Sequence, residues 1–112
     1  MGLLTRNLLD RSKLEGGLEA AGWEVASLRS RDLPTALDAV LVDLEHPAAF
    51  AVIEAAAARS SVRCLAYGPH VRVEALDRAR RLGADEALAR SVVFRDPASL
   101  AGRLAGDRAS PI

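Results

Sequence analysis

Short apolar runs alternate along the chain with longer segments of helical period. Five runs read as strands: Leu3-Leu4-Thr5, Glu24 to Leu28, Ala39 to Val42, Val62 to Tyr67 and Glu86 to Ala89. The third, Ala39-Val40-Leu41-Val42, has no polar alternation, as expected of a strand buried on both faces, yet it closes on a carboxylate, Asp43.

Between the first two runs, Leu8 to Ala21 carries Leu9, Leu14, Leu18 and Ala21 toward one helical face, and Gly22 is placed to stop it. Gly16-Gly17 soften that helix by roughly 1 kcal/mol each relative to alanine. Residues 29–37, RSRDLPTAL, offer at most one turn around Pro34 to Leu37, so the second helix is shortened or absent. Pro47 is placed to open the next helix, with Phe50, Val52, Ile53, Ala56 and Ala57 as its apolar residues. Val71 to Leu82 predicts another, with Val73, Leu76, Ala79 and Arg80 two to four positions apart and Gly83 at its end. Ser91 to Phe94 reads as a loop, and Asp96 as the cap of a last helix, Pro97 to Leu104. A frayed tail is expected over 107–112, beyond a single domain at 1–106.

Right-handed crossovers on this string favour a three-layer α/β sandwich with a five-stranded parallel sheet in the order 2-1-3-4-5. The carboxyl ends of strands one and three are then neighbours at the switch point. Asp43 is expected there.

Composition narrows the function classes. Half the residues are apolar and 27% are charged, the balance of an ordinary folded domain. Fifteen basic residues offset fifteen acidic ones, so neither nucleic acid nor an anionic membrane is an expected partner. Cys64 is the single cysteine, and His46 and His70 are too scattered for a metal centre, so no disulfide, metal or cofactor is expected. No Ser-His-Asp or Cys-His arrangement suggests an enzyme. No bilayer-length apolar run or signal pattern is present, and the expected location is the cytoplasm.

Three stretches, LVDLEHP at 41–47, LAYGPH at 65–70 and LGADEAL at 82–88, resemble in order and spacing the signature segments of response-regulator receiver domains, the CheY-like modules of two-component phosphorelays. The resemblance spans nearly the whole chain and implies the flavodoxin-like fold already read from the pattern. It also implies that Asp43 stands where receivers accept a phosphoryl group, with Pro47 in the following loop. The rest of that site departs from the family. Thr5 and Arg6 occupy the positions of the two acids that hold magnesium, with Asp10 the next acid along. The hydroxyl position at the end of strand four falls on Leu65 or Ala66, and the lysine position on Arg90.

The resemblance therefore implies a degenerate receiver whose metal site is dismantled, with Arg6 expected to pair with Asp43 where magnesium would lie and Arg90 approaching from strand five; the equal alternative is a structural Asp43 that accepts backbone N–H bonds in its turn or caps the following helix. The reading that follows is a stand-alone, phosphorylation-independent interaction or regulatory module in signalling, acting through a protein partner or as a homodimer. The alternatives are a regulator that accepts a phosphoryl group on Asp43 and, less favoured, a small-ligand binder of the flavodoxin type. Tyr67, His70, Val92, Val93 and Phe94 are the expected interface residues, with Phe94 packed under the last helix as an equal alternative; Trp23 is expected to plug the bottom of the sheet, and Cys64 to be a buried small hydrophobe.

Overall fold

A computed structural model describes residues 1–106; the tail expected at 107–112 lies outside the described residues. Strands β1 (Gly2–Leu4), β2 (Ala26–Ser27), β3 (Ala39–Asp43), β4 (Arg63–Gly68) and β5 (Glu86–Ala89) alternate with helices α1 (Leu8–Ala20), α2 (Ala49–Ala57), α3 (Val73–Arg81), α4 (Arg90–Arg95) and α5 (Pro97–Leu104). The sheet is parallel throughout, in the order β2-β1-β3-β4-β5.

The period of two along the central strands divides the core. Val40, Val42, Cys64 and Ala66 face α2 and α3, meeting Val52, Ile53, Ala56, Leu76 and Ala79. Leu41, Leu65 and Tyr67 face the other way, meeting Leu14 and Leu18 of α1, Val93 of α4 and Leu100 and Leu104 of α5. Helices on both faces bury β3 completely, which is why its sequence is an unbroken apolar run. Trp23 is half-buried against this second cluster, at the end where α1 returns to β2.

Several expected details move. The inner face of α1 is Asp10, Leu14 and Leu18, four residues apart, whereas Leu9 and Ala21 are exposed. Asn7 sets that phase by capping the helix: its Oδ1 accepts from the Leu9 and Asp10 amides, each at 3.0 Å. Pro47 lies in the turn ahead of α2 rather than in its first turn, and α3 starts at Val73, which is mostly exposed. The expected loop at Ser91–Phe94 belongs to α4, which buries Val93.

No helix joins β2 to β3. Residues 29–38 form a strap that places Leu33 and Leu37 against the α2 side of the sheet. Arg59 clamps the strap by donating to the carbonyls of Pro34 at 2.8 Å and Thr35 at 2.6 Å. Leu28 lies so close over β1 that a Cβ on Gly2 would sit 2.6 Å from its Cδ1. A close-packed strap thus covers the region a helix would otherwise fill.

Candidate functional site

The carboxyl ends of β1 and β3 are adjacent in the ladder, and Thr5 and Asp43 meet there. Thr5 Oγ1 donates to Asp43 Oδ2 at 2.8 Å and accepts from the Asn7 amide at 3.1 Å, so the one hydroxyl links the strand end to the capped start of α1. Asp43 Oδ1 accepts from the Glu45 amide at 2.9 Å, fixing the turn after β3. Both side chains are buried, Asp43 with 5% of its surface exposed. The charge at the strand end is held by a hydroxyl and an amide, which together satisfy one lone pair on each oxygen.

The expected ion pair between Arg6 and Asp43 is not formed. Arg6 is exposed, and with Asn7, Glu45 and His46 it lines a recess of about 350 Å³ whose floor includes Asp43. His46 folds back on its own turn, its Nδ1 accepting from the Ala48 amide at 2.9 Å. Burial, followed by the nearby Arg6 charge, moves the His46 pKa below its ordinary value, with Asp43 acting in the opposite direction.

Arg90 also takes a different partner. Its guanidinium grips both oxygens of Asp10 in a fork, Nη1 to Oδ2 at 2.6 Å and Nη2 to Oδ1. Tyr67 Oη donates to Asp10 Oδ2 at 3.2 Å. The guanidinium lies 4.6 Å from the Phe94 ring centroid, and Phe94 meets Tyr67 edge to face at 5.7 Å. Burial pushes the Tyr67 phenol well above its ordinary range, and the hydrogen bond to Asp10 raises the Arg90 value further. A buried carboxylate survives here because it is paired and hydrogen-bonded together.

The ladder corrects the position of the strand-four residue. Asp43 is level with Tyr67, not with Leu65 or Ala66; Ala66 is level with Val42 and points into the opposite core layer. The residue beside Asp43 therefore does carry a hydroxyl, but it is directed at Asp10. Burial also removes two residues from the expected interface: Tyr67 is fully enclosed and Val93 nearly so, since both pack against α1 and α5. His70 and Val92 are exposed and Phe94 is half-buried.

Sequence reasoning passed over Arg11, which donates to the Thr5 carbonyl at 2.8 Å and to Ser27 Oγ at 2.6 Å, tying α1 to the ends of β1 and β2. It also passed over Asp10 as a site residue. The signal available was its spacing from Leu14 and Leu18. Among the described residues no group of three or more histidine, cysteine, aspartate or glutamate side chains is arranged to hold a metal ion. None of the described helices is long and apolar enough to cross a membrane.

No family model matches the chain, and no curated protein matches it in sequence. Its structural neighbours are response-regulator receiver domains, orphan and atypical regulators included. A response regulator of Burkholderia pseudomallei, solved with a phosphorylated aspartic acid, a calcium ion and citrate, superposes with a TM-score of 0.73 at 20% identity, over 92% of this chain and 64% of that one. An orphan response regulator of H. pylori gives 0.71 at 21% identity, over 96% and 95% of the two chains. An atypical orphan response regulator, described as having a phosphorylation-independent regulatory mechanism, gives 0.73 at 21% identity, over 95% and 92%. The chain spans less than two thirds of the Burkholderia protein. The fold, with its 2-1-3-4-5 sheet, is the CheY-like one of these neighbours.

Proposed function

We propose that the chain is a receiver-fold module that works by contact with a protein partner and without a phosphorylation cycle. The observation that carries this reading is the occupation of its two buried carboxylates by protein groups. Asp43 is engaged by Thr5 and the Glu45 amide, and Asp10 by Arg90 and Tyr67. Magnesium demands several hard oxygen ligands in a near-octahedral array, and phosphoryl transfer relies on such cationic neutralisation of the moving group. Among the described residues no group of three or more histidine, cysteine, aspartate or glutamate side chains is arranged for such an ion.

The surface supports the contact reading. Among the described residues the large apolar side chains that stay exposed are Leu8, Leu9, Val71, Val73 and Val92, and all lie in segments leaving the carboxyl ends of β1, β4 and β5. They gather at one end of the sheet, where His70 and Phe94 also lie. Leu8, Leu9 and Val92 lie on the side of the sheet covered by α1 and α4, and Val71 and Val73 on the α3 side, and exposed apolar side chains at that end suit contact with a protein partner.

A second reading, in which Asp43 accepts a phosphoryl group, is favoured by the recess over Asp43, where the Arg6 guanidinium offers a positive charge. Intact mass after incubation with acetyl phosphate, with and without magnesium, separates the two. The expected result is no added phosphoryl group in the native protein or in Asp43→Asn. A magnesium-dependent gain that disappears in Asp43→Asn would establish the second reading.

A further inference from the structure

A second cleft, sharing no lining residue with the Asp43 recess, opens between α1, the loop after β4 and the start of α4. It has a volume of about 440 Å³ and is lined by Lys13, Pro69, His70, Arg90, Ser91 and Phe94. That volume lies in the range of small-ligand sites, roughly 300 to 1,000 Å³. Three separate elements bring donors to it: the Lys13 ammonium, the His70 imidazole and the Ser91 hydroxyl. Among the described residues none of these side chains has a hydrogen-bond or ion-pair partner, and no carboxylate lines the cleft. Asp10, which pairs with the cleft-lining Arg90, is buried and has both oxygens committed to that guanidinium, so it does not compete for the donors at the surface. Lys13 is the only lysine of the chain, and it stands at this cleft.

The remaining walls are apolar. Pro69 contributes a ring, and Phe94 contributes the part of its ring not covered by the Arg90 guanidinium. We infer that this cleft binds a small organic anion, a phosphate monoester on a ring-bearing body, with the anion met by Lys13, His70 and Ser91 and the ring by Pro69 and Phe94. Charge-assisted donors suit the phosphate oxygens, and flat apolar walls suit the ring.

The test is a titration of the ¹⁵N-labelled chain with phenyl phosphate, with parallel titrations by inorganic phosphate and by phenol, followed in ¹H–¹⁵N correlation spectra. Saturable shifts are expected at the amides of Lys13, His70 and Ser91 with phenyl phosphate, and weaker binding of either half alone. Lys13 and His70 are exposed, so the double variant Lys13→Ala/His70→Ala should keep the native spectrum while losing affinity by about tenfold or more. Arg6→Ala, which alters only the other recess, should bind as the native chain does. Absence of saturable shifts, equal binding of phenol, equal binding of inorganic phosphate, or loss of binding in Arg6→Ala in place of the double variant would each overturn the assignment.

Discussion

Arg90 spends its guanidinium on Asp10, joining the first turn of α1 to the start of α4 across the end of β4. The two residues are 80 positions apart in the chain. Their fork, with the Tyr67 hydroxyl as its third member, forms the polar floor on which the rim is built.

Breaking that fork leaves a buried charge. Arg90→Ala is expected to destabilise the fold by about 2 to 4 kcal/mol, because Asp10 would keep its burial and lose its counter-charge. Asp10→Asn should cost less, and adding it to Arg90→Ala should recover part of the loss. Urea unfolding of the two single variants and the double variant measures this coupling; additive effects would mean that the pair carries no interaction energy.

Thr5 bridges two elements through one oxygen. Thr5→Val keeps the shape and removes the hydroxyl, stranding Asp43 Oδ2 and the Asn7 amide, and is expected to cost about 1 to 3 kcal/mol. Thr5→Ser should be the milder change. A Thr5→Val protein as stable as the native one would show that water replaces the hydroxyl without loss.

The buried Cys64 thiol is pushed up to about 12 by burial and by the neighbouring Asp85 charge. It should therefore resist thiol reagents at pH 8 in the folded chain and react on unfolding. The sign of its linkage follows. Above the ordinary value of 9.0 the unfolded chain releases this proton and the folded chain keeps it, so the unfolded state gains. Stability should fall by about 1.4 kcal/mol per pH unit between those two values on account of this group. Cys64→Ala should flatten that part of the pH profile.

Two glycines should respond with opposite signs. Gly83 has φ +114°, and a Cβ there would lie 2.5 Å from Ala57 Cβ, so Gly83→Ala combines backbone strain with overpacking and should cost about 2 to 4 kcal/mol. Gly16 lies mid-helix in α1 with open space around the Cβ direction, so Gly16→Ala should stabilise by about 0.5 to 1 kcal/mol. Thermal unfolding of the two variants checks both signs.

The strand order was legible because the buried parallel strands leave continuous apolar runs between helical segments, and Asp43 stood out as the charge closing one of them. The partners of the charges were not legible. Asp10 was hidden by its neighbour Leu9, which looks like an inward residue until Asn7 sets the phase of α1. The match between Arg90 and Asp10 depends on where the end of β5 meets the start of α1, a three-dimensional fact with no local trace. Helix α4 was missed because its apolar residues follow directly on a strand, with no capping side chain to mark a boundary.

The strap at 29–38 has a bearing on engineering. Its tip, Arg29 to Asp32, is exposed and lies upstream of both carbonyls that Arg59 holds. Doubling the length of a flexible connection adds only about 0.6 kcal/mol of closure entropy. The tip is therefore a splice point at which a reporter or tethering domain can be grafted, with the clamp left to keep the sheet closed beneath it.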